Sequence, residues 1–237
     1  MIQQIKLDQI RLGATALRGL SDRASTGQIL NQTFDGNGFP SNWQQFLEGQ
    51  VAQTPKTYLT ITDSTGNNAG ILSTLSNVPF SPGKVKTTIV AQINSISVTQ
   101  QHLGNAVVGL LGPNGTPLPG NLAAGIDGMG NVFIVEYDPA QKLQQPNVVP
   151  VGTLTGYTGN SPVTLTINIY PSGIVISAGN TTLGTTTFKE FYFAQNLDNF
   201  SMQTAFPNGA VPALVAASQP TQKGGSATFE SITVTTT

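Results

Sequence analysis

In the stretch "VFIVEYDP", residues 132–139, two carboxylates, Glu136 and Asp138, follow a strongly apolar run. Residues i and i+2 of a β-strand share a face, so the two acids point together while Tyr137 points away. Such a pair suits three roles. Glycoside hydrolysis needs two carboxyl groups across the sugar, about 5–9.5 Å apart, and same-face strand neighbours meet the shorter separation. A calcium ion takes six to eight oxygen ligands. Glu136, Asp138 and the amide of Asn147 offer three, leaving the rest to backbone and water. In the third role a buried strand merely surfaces at Glu136, with Pro139 ending its pairing. The third is taken as the main reading, and Glu136 and Asp138 are kept as metal candidates.

Other reactive constellations are scarce. The chain has no cysteine, which removes disulfides, thiol nucleophiles and thiolate metal sites. One histidine, His102, and no Gly-x-Ser-x-Gly elbow leave no serine triad to assemble. The "GKVK" and "GIDGMG" stretches lack the glycine spacing or the strand–helix context of a phosphate loop. Segment 138–160 holds more, because it is long for a connection between strands. It carries Tyr157 as an aromatic platform, with Gln144, Gln145, Asn147 and Asn160 as amide partners for sugar hydroxyls. These five are the glycan-binding candidates. Trp43, in "GFPSNWQQF", reads as a buried anchor.

Strands must position these groups. "VTLTINIYPSGIVISAG" is a hairpin signal: Val163, Leu165, Ile167 and Ile169 alternate with Thr164, Thr166 and Asn168, and Pro171-Ser172-Gly173 turns the chain. "LAAGIDGMGNVFIVEY" reads as a second hairpin, turning through Asp127-Gly128 and Gly130-Asn131. "YLTITDSTGNNAGIL" reads as strand, turn and strand. "KVKTTIVAQINSISV" alternates from Val85 to Ile93 and shifts register near Asn94. "NAVVGLLG" is a buried strand, and "ATFESITVTTT" a final one. Turn signals about every ten residues favour a sandwich or barrel over βαβ units.

Composition narrows the partners. Charged residues make up 9% of the 237, hydrophobic residues 38%, and net charge is −1. A nucleic-acid binder needs a basic face, and membrane attachment through charge needs a polybasic cluster; neither is present. No apolar run is long enough to span a bilayer, and the opening residues lack the apolar core of a signal peptide. No nucleic acid and no membrane insertion are expected.

The first residues differ from the rest. Lys6, Arg11, Arg18 and Arg23 against Asp8 and Asp22 give residues 1–23 a charge of +2, while the remaining six lysines and nine acids give −3. Ile2, Ile5, Leu7, Ile10, Leu12, Leu17 and Leu20 follow neither helical nor strand periodicity. Residues 1–31 are therefore read as an anchoring or assembly arm, with Ile2, Ile5, Leu7, Ile10, Leu12, Arg11 and Arg18 as its contacts. Residues 32–237 form the body.

The body resembles the concanavalin A-like lectin/glucanase jelly roll, on "FDGNGFPSNWQQF", "VTLTINIYPSGIVISAG", "FSMQTAF" and "ATFESITVT". The resemblance implies an all-β, two-sheet antiparallel sandwich. Jelly-roll glucanases carry Glu-x-Asp-x-x-Glu, whereas the third acid here is replaced by Gln141. "VEYD" is also similar to the metal-site strand of legume-type lectins, but the following acid and histidine of that pattern are absent. The arm is similar to segments of bacteriophage fibre and virion appendage proteins, on Ile5, Gln9, Ile10 and Thr26-Gly27-Gln28-Ile29-Leu30.

Together these imply a structural virion protein, a head or tail fibre, spike or decoration component. Its arm would bind capsid or other virion proteins and form a homo-oligomer, a trimer by the fibre resemblance. Its sandwich would meet host surface glycans. The alternative is a bacterial lectin-like carbohydrate-binding module. No enzyme activity is expected, and no cofactor beyond a calcium ion at Glu136 and Asp138.

Overall fold

The computed structural model describes residues 27–35, 39–46, 50–54, 58–64, 69–73, 86–98, 104–111, 122–136, 147–170, 173–187, 209–218 and 224–237. Along them run β1 (Gly27–Thr33), β2 (Trp43–Phe46), β3 (Gln50–Thr54), β4 (Tyr58–Asp63), β5 (Ala69–Ser73), β6 (Thr87–Ile96), β7 (Gly104–Leu111), β8 (Leu122–Asp127), β9 (Asn131–Glu136), β10 (Asn147–Thr153), β11 (Val163–Tyr170), β12 (Gly173–Ala178), β13 (Thr181–Thr187), β14 (Val211–Ser218) and β15 (Gly225–Thr236). No helix occurs among the described residues.

The strands form two antiparallel sheets. Sheet A runs β13-β12-β11-β6-β15-β4-β3, with β1 also paired to β15; sheet B runs β10-β9-β8-β7-β14-β5-β2. Alternation explains the layering. In β4 and β11 every second residue is buried, so each strand gives one apolar row to the interior and one polar row to the outside. Leu59, Ile61, Ile89, Leu165, Phe229 and Val234 of sheet A meet Ile71, Val108, Leu110, Ile126, Ile134 and Leu214 of sheet B. Each is nearly or wholly removed from water, and full burial of such a side chain stabilises by about 1.5–3 kcal/mol. Val149, Val151 and Leu183 extend this core at the β10–β13 side.

The register shift expected near Asn94 is present: Ser95 pairs with Thr228 and Ile93 with Phe229, so Asn94 is skipped. A second irregularity lies between Phe229 and Ser231, and it divides β15. Its first half pairs with β4 and its second half with β1. Trp43 is buried, as expected, edge-on to Phe34 with ring centroids 5.8 Å apart.

The start of the body falls earlier than the sequence suggests. β1 begins at Gly27, Leu30 is opposite Val234, and Leu30 is 3% exposed. Residues 27–31, read as the end of an arm, are strand residues of the sandwich. Their apolar positions looked unpartnered because the partner, β15, lies at the other end of the sequence. The arm candidates Ile2, Ile5, Leu7, Ile10, Leu12, Arg11 and Arg18 lie outside the described residues.

Candidate functional site

Glu136 is the last residue of β9, opposite Leu122 of β8 and Asn147 of β10. Of the residues singled out in the sequence, Glu136 and Asn147 are therefore brought together, as cross-strand partners closing the 137–146 connection. Asp138, Gln144 and Gln145 lie outside the described residues. Among the described residues no three metal-ligating side chains cluster.

Tyr157 is not a surface platform. It is 8% exposed and belongs to the interior cluster, while Asn160 is exposed. Burial, and then the negative charge of Asp127, push its phenol up to about 12. Its hydroxyl has no hydrogen-bond partner. The segment turns inward because it is stitched to both sheets. Leu154 N donates to Gly130 O at 2.8 Å, Ile96 N donates to Gly159 O at 2.8 Å, and Gly159 has φ of 76°. The sequence marked this segment as a long loop, but loop length carries no information about which aromatic turns in.

Asp127 looked like a turn residue and is one. Its Oδ1 accepts from Met129 N at 2.8 Å and Asn131 N at 2.9 Å, and its Oδ2 accepts from Asn131 Nδ2 at 2.8 Å. Thr153 Oγ1 donates to Asn131 Oδ1 at 3.0 Å, tying β10 to the same turn. This carboxylate is fully engaged in holding the hairpin.

The outward face of sheet B carries an apolar patch. Val107, Ala123, Val211 and Ala213 lie there and are at most 9% exposed. Asp127 is the only acid at an outward position of β7, β8, β9 or β14. The described residues thus place no pair of carboxylates across this face.

The outward face of sheet A is different, and the sequence reading passed over it. Its rows are hydroxyls and amides, several joined across strands. Thr88 Oγ1 donates to Asn168 Oδ1 at 2.9 Å, Thr233 Oγ1 to Asn31 Oδ1 at 3.3 Å, and the Thr60 and Thr228 hydroxyls are 3.2 Å apart. Along β11 the outward positions are Thr164, Thr166, Asn168 and finally Tyr170, which is 36% exposed. Lys86, the only basic residue among the described ones, holds its Nζ 5.7 Å from the Tyr170 ring centroid. The signal was available: Tyr170 continues the Thr164-Thr166-Asn168 alternation by one more step.

No protein-family model and no curated protein matches the chain. Solved structures do. An endo-1,3-beta-glucanase from Streptomyces sioyaensis aligns over 90% of this chain and 96% of its own, with 17% identity and a TM-score of 0.60. The laminarinase catalytic domain from Thermotoga maritima aligns over 89% and 98%, with 10% identity and a TM-score of 0.60. The carbohydrate recognition domain of Emp46p, in a potassium-bound form, aligns over 82% and 88%, with 12% identity and a TM-score of 0.55. The fold is the concanavalin A-like jelly-roll sandwich that the sequence resemblance implied.

One expectation is overturned here. Gln141, standing where glucanases have a third acid, leads to the expectation of no enzyme activity. An endo-glucanase and a laminarinase domain share its fold, so that single substitution does not remove catalysis from consideration. Residue 141 lies outside the described residues, and a jelly roll can bring acids from several strands to one face.

Proposed function

We propose that the chain is a carbohydrate-directed β-sandwich that recognises neutral glycans, presented on a virion appendage by its N-terminal segment. The observation that carries the first part is the combination of fold and surface. The jelly roll is shared with proteins named as a carbohydrate recognition domain and as glucanases. The broad outward face of sheet A offers hydroxyls and amides with very little charge. A surface of that kind matches polyhydroxylated ligands and gives no purchase to phosphates or polyanions. Virion presentation is supported by Ile5, Gln9, Ile10 and Thr26–Leu30 in their resemblance to fibre segments.

The test is retention of the full chain on immobilised β-1,3-glucan, mannan, galactan and an acidic glycan, at low and high salt. Binding to a neutral glycan that persists at high salt is expected, because screening weakens only charge-driven contacts. Binding solely to the acidic glycan, abolished by salt, would overturn the reading. Reducing ends released in the same samples would add hydrolysis to recognition. For presentation, the chain should copurify with particles, and its absence from them would remove the virion half of the proposal.

A further inference from the structure

Of the five glycan candidates of segment 138–160, the aromatic one, Tyr157, is interior and offers no stacking face. Another place has the required chemistry. We propose that the outward face of sheet A around Tyr170 is a binding surface for a neutral glycan chain, a proposal that rests on the carbohydrate reading above and gives it a location.

Sugars present C–H faces that pack on exposed aromatic rings, while their hydroxyls seek nearby donors and acceptors. Tyr170 remains 36% exposed with Lys86 in place, and it is the one exposed aromatic on the sheet A face among the described residues. Lys86 Nζ stands over the ring, 5.7 Å from its centroid, a cation–π contact that restrains the ring.

The hydrogen-bonding groups follow in order. Two residues down β11, Asn168 accepts from Thr88 of β6, and two further down Thr166 is opposite Val90. Because Thr88 already donates to the Asn168 carbonyl, the Asn168 amide nitrogen and the Thr88 lone pairs remain for a ligand. Neighbouring strands lie ~4.8 Å apart and same-face residues ~6.8 Å apart along a strand, so ring and amide groups are spaced about as adjacent sugars in a chain. Charge complementarity favours the same occupant: β11, β6 and β12 carry no acidic or basic residue, and Lys86 stands just before β6.

The test is affinity electrophoresis of the full chain in gels containing soluble β-1,3-glucan, mannan or galactan, with light scattering on the same samples. Tyr170→Ala should weaken retardation about tenfold, the effect of losing one stacking contact. Tyr170→Phe should retain most of it, and Met129→Ala, on the distant β8–β9 turn, should change nothing. Unaltered retardation in Tyr170→Ala would overturn the location while leaving glycan recognition standing. No retardation of the unmodified chain by any of the three glycans would instead bring down the recognition reading itself. If Tyr170→Ala turns an oligomer into a monomer without changing glycan affinity, the face is an interface between copies and the proposal is wrong.

Discussion

Asp63 of β4 and Ser218 of β14 join the two sheets: the Ser218 backbone N donates to Asp63 Oδ2 at 3.1 Å. Asp63 is fully buried, and its own carbonyl accepts from Gly224 N at 2.7 Å. The Ser218 hydroxyl in turn accepts from Gly225 N at 2.9 Å, so this end of the sandwich is held by a short polar chain in an apolar setting. Removing the carboxylate takes the acceptor from the Ser218 N–H. Asp63→Ala should cost about 2–3 kcal/mol in denaturant unfolding, and Asp63→Asn less, because one oxygen remains. A loss below about 0.5 kcal/mol for the alanine variant would mean the link contributes nothing to stability.

The phenol of Tyr157 sets a dependence on alkaline pH. In the unfolded chain it ionises near 10, and in the folded chain burial raises this to about 12. A raised value in the folded state means that the stabilising difference is fully present below pH 10 and is lost as pH rises through 12. Melting temperature should fall over that window. In Tyr157→Phe that part of the fall should disappear. The same variant should be no less stable than the parent at pH 7, since it deletes a buried hydroxyl that has no partner. Paired melting curves at pH 7 and pH 11 decide both points.

Gly104 starts β7 where the sheets approach closely. A Cβ there would stand 2.5 Å from Ser97 Oγ and 2.8 Å from Ser226 O. The hydroxyl could rotate away, but the backbone oxygen cannot without disturbing β15. Gly104→Ala should therefore destabilise by about 1–3 kcal/mol. Equal thermal stability of variant and parent would show that the strands separate freely at this point.

The boundary at Gly27 makes a prediction about shortened chains. A chain beginning at Gly27 keeps β1 whole, whereas one beginning at Gln32 loses most of it and uncovers an edge of β15. The second should melt lower and aggregate more readily than the first. Leu30→Ala in the full chain should cost about 2–5 kcal/mol by emptying its interior position. Light scattering of the full chain against the chain from Gly27 then reports whether residues 1–26 drive assembly, free of damage to the sandwich.

Much of this fold is legible in the sequence, because alternation is local. The β11–β12 hairpin, the β8–β9 turn and even the slip at Asn94 follow from residues within a few positions of one another. What was missed depends on distant partners. "YLTITDSTGNNAGIL" reads correctly as strand, turn and strand, but nothing local says that β4 joins sheet A and β5 sheet B. Ile29 and Leu30 looked like part of an arm until β15 covered them. The candidate site was less legible than the fold. Tyr157 and Tyr170 are both aromatic residues near turns, and only packing separates the buried one from the exposed one.

The strand that joins the most partners in sheet A comes latest in sequence among the described strands. β15 holds β6, β4 and β1 together, and its final residue pairs with Gly27, the first of β1. While ribosomes are still extending the chain, those three strands have no common neighbour, and their edges stay open to solvent and to other nascent chains. Sheet A can close only after residues 225–236 have emerged, so its folding is slow, as expected of long-range strand pairing. Cellular yield should then depend on temperature and on chaperone capacity during synthesis more than on the stability of the finished sandwich.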